Sequence, residues 1–166
     1  PEDTIMRINL AWVNNLEELE NTLSQLDYKI FLDMPIGRSK PPNNNYSLES
    51  LSDIIRDNEK IKYFAISNVE GPDIISEVSE LLPDRTIIVP KIETIKAINN
   101  INLIAEALKS GERILMLDHD DLFSDIIRKG HTSEYFTECI DNLVNFCETN
   151  DLRLLRTRGV IFSDTI

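Results

Sequence analysis

The fold of this 166-residue chain is decided by the stretch Ile87-Ile88-Val89-Pro90-Lys91-Ile92-Glu93. The same pattern, an apolar run that ends abruptly in charged residues, recurs at Ile114-Leu115-Met116-Leu117-Asp118-His119-Asp120-Asp121. Short apolar runs that are rich in β-branched residues and precede helical periodicity are typical of buried parallel strands. Ligands bind at the carboxyl ends of such strands in parallel α/β proteins. We therefore expect the charged ends of these two runs to lie at a functional edge.

The rest of the chain supplies more strands of this kind, separated by apolar residues at helical spacing. The sequence predicts strands at residues 5–10, 29–34, 61–67, 86–92, 113–117 and 152–157, with residues 160–162 as a candidate seventh. Strict alternation of strand and helix favours a parallel sheet with right-handed crossovers. A complete eight-stranded barrel usually needs more than about 200 residues. We therefore expect residues 1–166 to form a single α/β domain, a TIM-type (β/α) barrel that is incomplete and is completed by missing segments or by a partner.

Charge and composition narrow the classes of partner. The formal net charge of −12 disfavours binding to nucleic acid and to anionic membrane surfaces. No apolar stretch approaches the roughly 20 residues that cross a bilayer, and the first residues resemble no targeting peptide, so we expect a cytoplasmic protein without membrane contact. Cys139 and Cys147 lie eight positions apart in one predicted helix, which suits neither a disulfide nor a metal site.

The polar residues at the predicted strand ends favour a metal site. Glu93 and Asp121 follow neighbouring strands, where two carboxylates together with substrate oxygens and water suit a hard divalent cation. Lys91 lies two positions before Glu93 and so shares its face of the strand. A cation beside a metal is suited to stabilising negative charge that develops on a substrate. The acids around Asp118 have a second interpretation, as the N-cap and first-turn acids of the next helix.

Five segments in order resemble the catalytic barrel of pyruvate kinase, within the phosphoenolpyruvate/pyruvate-binding superfamily. The most specific of them are Lys91-Ile92-Glu93 and the strand that ends in Asp121-Leu122. The resemblance covers nearly the whole chain, and its segments are Met6-Arg7-Ile8-Asn9, Phe31-Leu32-Asp33, Phe64-Ala65-Ile66-Ser67, Val89-Pro90-Lys91-Ile92-Glu93 and Met116 through Leu122.

The resemblance implies a role for several positions. Glu93 and Asp121 match the carboxylates that bind the catalytic Mg²⁺ or Mn²⁺, and Lys91 matches the lysine that neutralises the enolate. As catalytic residues it further implies Arg7, near the phosphate site, and Thr157, near the threonine linked to enolate protonation. The remaining assignments are Arg38 and Asp120 in substrate binding, and Asn9 and Asp33 as ligands of a monovalent cation such as K⁺.

The chain also departs from the family pattern. Ala11 and Met34 replace a serine and a threonine of the monovalent site, which weakens the implied K⁺ site. His119 and Asp120 replace an arginine and a glycine, and Phe123 replaces another glycine, so the backbone approach to a substrate carboxylate is altered. The lid domain and the C-terminal domain of pyruvate kinase have no counterpart here, although phosphoryl transfer relies on a dry, closed site.

Three functions remain open at this point. The first is a metal-dependent enzyme that acts on phosphoenolpyruvate, pyruvate or a related 2-oxo acid through a metal-stabilised enolate without being an ordinary glycolytic kinase. The second is a lyase or aldolase of the citrate lyase β-subunit type, which the missing lid favours. The third is a non-catalytic barrel module of a larger protein. In each enzymatic case we expect a small anionic 2-oxo acid or enol phosphate as ligand, and a homo-oligomer or a larger chain that covers the sheet edges.

Overall fold

Six parallel strands form one curled sheet in the computed structural model, which describes residues 4–37, 42, 46–109 and 111–157. The strands follow one another across the sheet in chain order, so each is hydrogen-bonded to its sequence neighbour. The result is a half-barrel with helices, an incomplete TIM-type barrel, as the sequence predicts. The strands are β1 (Ile5–Asn9), β2 (Lys29–Met34), β3 (Ile61–Ile66), β4 (Ile87–Ile92), β5 (Ile114–Leu117) and β6 (Arg153–Arg156).

Helices connect the strands in the manner of βα units. The short 3₁₀ helix Leu10–Trp12 follows β1 directly, where the sequence predicts one more strand residue. The α-helices are α1 (Leu16–Gln25), α2 (Leu48–Asp57), α3 (Asp73–Leu81), α4 (Ile95–Asn99), α5 (Ile101–Glu106), α6 (His119–Arg128) and α7 (Ser133–Thr149). Ser47 caps α2 by accepting from the Ser50 N–H at 3.1 Å, and Leu82 ends α3 just before Pro83, both as predicted.

The connection after β4 differs from the single helix that the apolar spacing predicts. It is divided into α4 and α5 at Asn100, whose φ of −100° and ψ of 13° leave the helical region. The Asn100 side chain donates to the Glu70 carbonyl at 2.8 Å, so the break ties this connection to the loop after β3. Apolar periodicity alone carries no sign of this tertiary hydrogen bond.

The two faces of the sheet have separate cores because side chains alternate along each strand. The outer face packs against the helices and includes Phe64 and Leu117, both fully buried. The inner face carries the smaller cluster, which consists of Phe31, Tyr63, Ala65, Val89, Ile114 and Met116. Residues two positions beyond these inner side chains lie on the same face, nearer to the carboxyl ends.

Strand β4 joins the two halves of the sheet. Its first residues pair with β3, ending at Pro90 opposite Ile66, and its last residues pair with β5, beginning at Lys91 opposite Met116. Pro90 has no N–H and contributes no donor to either ladder. The exchange of partners at this residue places Lys91 and Ile92 at the centre of the half-barrel.

The half-barrel has two edges, at β1 and at β6. In the described part of the chain, each of these strands is hydrogen-bonded to a neighbouring strand on one side only. The candidate seventh strand at residues 160–162 lies outside the described residues. The longest helix in the described residues is α7, and none of the helices there combines the length and apolarity needed to cross a membrane.

Candidate active site

A layer of polar side chains lies at the carboxyl ends of the strands, directly above the inner apolar cluster. Asp33, Lys91 and Asp118 lie two positions after the buried inner residues Phe31, Val89 and Met116, so the alternation of the strands turns them inward as well. Asp33, Lys91 and Glu93 are all buried, with 1%, 6% and 2% of their surfaces exposed. Buried charges of this kind are stable only when they are paired.

Lys91 is the central cation of this layer. Its ammonium lies 2.7 Å from Glu93 Oε1 and 3.8 Å from both Asp33 Oδ1 and Asp118 Oδ2. It also donates to the Ser67 hydroxyl at 3.1 Å. Burial would lower the pKa of Lys91, but the surrounding carboxylates, Glu93 first, outweigh it and raise that pKa. Lys91 is therefore a fixed positive charge at neutral pH.

The Glu93 carboxylate is held from the opposite side by the loop after β3. Its Oε2 accepts from the backbone N–H of Asn68 at 2.7 Å. Asn68 has a φ of +53°, in the left-handed region that asparagine tolerates better than most residues, and its side chain donates to the Ile36 carbonyl at 2.6 Å. Burial raises the pKa of Glu93, and the Lys91 ammonium and this N–H counteract that rise.

Three carboxylates form a cluster that suits a divalent cation. Glu93, Asp118 and Asp121 each offer one oxygen, and these oxygens all lie within 4.8 Å of one another. Glu93 Oε1 is fully buried and accepts no well-formed hydrogen bond in the described structure, although the Lys91 ammonium is close to it. Hard cations such as Mg²⁺ and Mn²⁺ prefer carboxylate oxygens together with water and substrate oxygens. The donor set therefore fits the metal that the sequence predicts, and Asp118 joins the predicted pair.

Helix α6 supplies two of these three carboxylates. Asp118 is its N-cap, with a side chain directed to the Asp121 N–H at 3.5 Å, and Asp120 and Asp121 lie in its first turn. The two interpretations of this acidic segment are thus compatible, because the acids complement the helix dipole and also face Glu93. A divalent cation here would gather ligands from one strand end and one helix start.

A buried carboxylate ties the two ligand-bearing segments together. Asp125, on α6, accepts from the backbone N–H of Ile95 at 2.9 Å and pairs with Lys129 at 2.8 Å. Ile95 lies two positions after Glu93, and Asp125 lies four positions after Asp121. Their hydrogen bond therefore joins the segment that carries Glu93 to the helix that carries Asp121. Burial would raise the pKa of Asp125, but the hydrogen bonds from Lys129 and from Ile95 outweigh it and lower that pKa.

An open cleft of about 590 Å³ gives access to this cluster. Its floor includes Ser67, Lys91 and Glu93, and one wall is formed by the loop that contains Pro35 and Gly37. Helix α6 forms another wall with the residues Asp121, Ser124 and Arg128. A small molecule that enters this cleft meets Lys91 and two of the three clustered carboxylates, Glu93 and Asp121, with the third, Asp118, next to them.

Strands β1 and β2 bring three of the predicted residues to this edge, Arg7 and Asn9 on β1 and Asp33 on β2. Arg7 donates to Asp33 Oδ2 from Nε at 3.1 Å and also from Nη2. Asp33 therefore lies between two cations, Arg7 and Lys91, and a monovalent ion would have to compete with both. Asn9, opposite Asp33 in the register, accepts from the Ala11 N–H at 2.9 Å and caps the 3₁₀ helix. The monovalent site stays a prediction.

Two further predicted residues, Thr157 and Asp120, are described by the structure and are not part of the acidic cluster. The Thr157 hydroxyl donates to the Leu117 carbonyl at 3.3 Å and faces the His119 N–H at 3.4 Å, so it joins the ends of β5 and β6. Asp120 is next to Asp121 but is not part of the three-carboxylate cluster. Arg38 lies outside the described residues. The catalytic and substrate-binding roles of these residues remain predictions.

Sequence reasoning missed three contributors to the site. Asp118 was not assigned as a metal ligand, although its position two residues after the inward-facing Met116 was a usable signal. No sequence pattern indicates the other two. The left-handed backbone of Asn68 and the position of Arg128 in the cleft wall are set only in the folded chain.

Comparisons with known proteins identify the fold. No family model matches the sequence, and no curated protein matches it. The structure is similar to the crystal structure of RipC from Yersinia pestis, with a TM-score of 0.70, 17% identity, and coverage of 96% of this chain and 72% of that one. It is also similar to a HpcH/HpaI aldolase/citrate lyase family protein from Burkholderia cenocepacia J2315, with a TM-score of 0.69, 12% identity, and coverage of 93% and 71%. At these identities the likeness establishes a shared barrel fold, and the fold is one that an aldolase/citrate lyase family protein uses.

Proposed function

We propose that this chain carries the metal and 2-oxo acid site of a carbon–carbon lyase or aldolase. The observation that carries the proposal is the cluster of Glu93, Asp118 and Asp121 beside the buried ammonium of Lys91. Such an arrangement suits the stabilisation of negative charge on a substrate oxygen. The fold shared with an aldolase/citrate lyase family protein supports the lyase more than the kinase-like reaction that the sequence favours.

The residues of the chain would act mainly by positioning and by electrostatics. Glu93, Asp118 and Asp121 would hold a divalent cation, which when bound polarises a substrate carbonyl. In the cleavage of a 4-hydroxy-2-oxo acid, the hydroxyl proton leaves to water, the bond between C3 and C4 breaks, and the carbon that bore the hydroxyl leaves as an aldehyde. The electron pair of that bond moves onto the 2-oxo group, and a proton from water later completes the released 2-oxo acid.

Lys91 would stabilise the charge that develops in this step. Its raised pKa keeps it protonated, and its contacts with Glu93 and Ser67 fix its position, so little reorganisation is needed when the charge appears. Arg7, paired with Asp33, would place a second cation at the same edge of the sheet.

The test is an assay, with Mg²⁺ or Mn²⁺, of the cleavage of 4-hydroxy-2-oxo acids and, separately, of the decarboxylation of oxaloacetate. We expect cleavage that needs the metal, and a loss of at least a hundredfold in Glu93→Gln and Asp121→Asn, because each removes a charged ligand. Asp53→Asn is the control, since it removes the same charge from an exposed ion pair with Arg56 on α2, outside the cluster. Equal activity in all variants would refute the proposal.

Two other functions are outcomes of the same test. Turnover of phosphoenolpyruvate without lyase activity would favour the kinase-like enzyme. Calorimetry that shows no Mg²⁺ or Mn²⁺ binding, with no change in Glu93→Gln, would favour a non-catalytic module.

A further inference from the structure

One face of helix α6 continues the site away from the metal cluster. Asp121, Ser124 and Arg128 are spaced by three and four residues, so they share one face of the helix, and all three line the cleft. Asp121 is in the metal cluster, whereas Arg128 is in the last turn. Seven residues correspond to roughly 10 Å along the axis, and long helical side chains lean back toward the N-terminus. The guanidinium therefore belongs to the same cleft as the metal cluster, but at its outer part.

Arg128 retains positive charge and donors for a ligand. It is 73% exposed, and its one ion pair in the described structure is with Asp125 Oδ1 at 3.3 Å. Asp125 is shared, because Lys129 and the Ile95 N–H bind its other oxygen. Lys129 thus neutralises Asp125 from the other side, and Arg128 is the cation that this wall presents to the cleft, on the same helix face as Asp121.

Lys91 is not available to bind an anionic group in the outer part of the cleft. Its ammonium is 7% exposed and is surrounded by three carboxylates at the floor of the cleft. An anionic group that extends outward from the metal would therefore meet Arg128, whereas Ser124, between the two, donates its hydroxyl proton to the Asp120 carbonyl at 2.7 Å.

We propose that Arg128 forms a subsite for a second anionic group of the substrate, a carboxylate or a phosphoryl group distal to its metal-binding end. This inference rests on the proposed function, which supplies the metal-binding end. It makes Arg128 a residue that determines specificity, since a guanidinium recognises planar and tetrahedral oxyanions through paired donors. The substrate class becomes 2-oxo acids with two anionic ends.

The experiment measures ligand binding by calorimetry to the Mn²⁺-loaded protein. Pyruvate has no second anionic group, 2-oxoglutarate has a distal carboxylate, and phosphonopyruvate has a distal phosphonate. In Arg128→Met we expect the affinity for at least one of the two longer ligands to fall on the order of tenfold or more, while the affinity for pyruvate changes less than about twofold. The more affected ligand identifies the anion.

Lys129→Met is the matched control, because Lys129 pairs with the same Asp125 but does not line the cleft. It should change the affinities for all three ligands by the same factor, because it leaves the Arg128 guanidinium in place. Two results would overturn the subsite while leaving the proposed function intact. In the first, Arg128→Met weakens pyruvate binding as much as it weakens binding of the longer ligands. In the second, Lys129→Met weakens binding of the longer ligands as selectively as Arg128→Met does. Failure of the wild-type protein to bind Mn²⁺ or pyruvate would instead refute the proposed function, and the subsite with it.

Discussion

At the scale of single residues, Lys91 determines the charge balance of the site. One ammonium faces Asp33, Glu93 and Asp118, and Arg7 provides a second cation to Asp33 alone. The cluster of Glu93, Asp118 and Asp121 therefore carries excess negative charge, which favours a divalent cation. The same ammonium repels that cation, so Lys91 limits metal affinity while it supports the fold.

Replacing Lys91 by methionine tests both effects. We expect Lys91→Met to lower the free energy of unfolding by about 3 kcal/mol without metal, because it leaves the buried Glu93 carboxylate without its counter-ion. We also expect Mn²⁺ to raise the melting temperature of the variant more than that of the wild type. Lys96→Met is the control, because Lys96 forms an exposed ion pair with Glu70. If Mn²⁺ raises the melting temperature of Lys91→Met less than that of the wild type, the Lys91 ammonium does not weaken metal binding by repulsion.

The two cysteines illustrate a purely structural use of reactive side chains. Burial raises the pKa of Cys139, and it raises the pKa of Cys147 to about 11, with Glu148 adding to the shift. Both thiols are free and buried on α7, as the sequence predicts. Because the thiolate is the reactive form, we expect neither to react with a thiol reagent at pH 8 in the native protein, and both to react after denaturation. Rapid labelling of either thiol in the native protein would contradict this expectation and would show that α7 opens locally.

At the scale of elements, helix α6 organises the site more than any single strand. It begins with Asp118 and Asp121 at the metal cluster, continues with the buried Asp125, and ends with Arg128 in the cleft wall. The hydrogen bond from the Ile95 N–H to Asp125 fixes this helix to the segment that carries Glu93. The geometry of the metal ligands therefore depends on a residue that is not itself a ligand.

Asp125→Asn tests this coupling. At pH 7 we expect a loss of about 1–3 kcal/mol in the free energy of unfolding, because charge-assisted hydrogen bonds are weakened, and a severalfold loss of Mn²⁺ affinity. The native pKa of Asp125 is lowered, so its contribution is complete above the unfolded pKa and is lost as the pH falls through the native value. The stability difference between wild type and variant should therefore shrink below about pH 4.

Denaturant titrations over a pH series and calorimetry with Mn²⁺ measure these two effects. Asp53→Asn is the control, because Asp53 forms an exposed ion pair with Arg56 on α2. If Asp125→Asn leaves the metal affinity unchanged at pH 7, the hydrogen bond between the Ile95 N–H and Asp125 does not position the metal ligands.

At the scale of the whole molecule, the half-barrel leaves backbone groups of β1 and β6 without a strand partner within the described residues. Arg153 and Arg156 of β6 are exposed, and so are Ile5 and Arg7 of β1, whereas the central strands are mostly buried. Unpaired edges of this kind promote association. We propose that in the functional protein both edges are covered, either by further chain or by a second copy.

Sedimentation and hydrogen exchange test this proposal on the 166-residue chain. We expect self-association that depends on concentration, with the amides of β1 and β6 protected only in the associated form. A monodisperse monomer whose edge amides are fully protected would contradict it.

The sequence alone determined the strands, their parallel arrangement and the position of the charged residues at the carboxyl ends of the strands. These properties follow from local pattern, because apolar runs, alternation and strict β-then-α order leave few other arrangements. Lys91, Glu93 and Asp121 were identified for the same reason, since each is fixed by its distance from a strand end.

Only the tertiary structure decided which charges meet. The approach of Asp118 to Glu93, the Asn68 N–H that holds Glu93, and the place of Arg128 in the cleft join segments that are 25 or more residues apart. The break between α4 and α5 at Asn100 also depends on a distant carbonyl, that of Glu70. Such contacts depend on how helices and loops pack over the sheet, and a periodic pattern encodes which face is buried but not which distant group it meets.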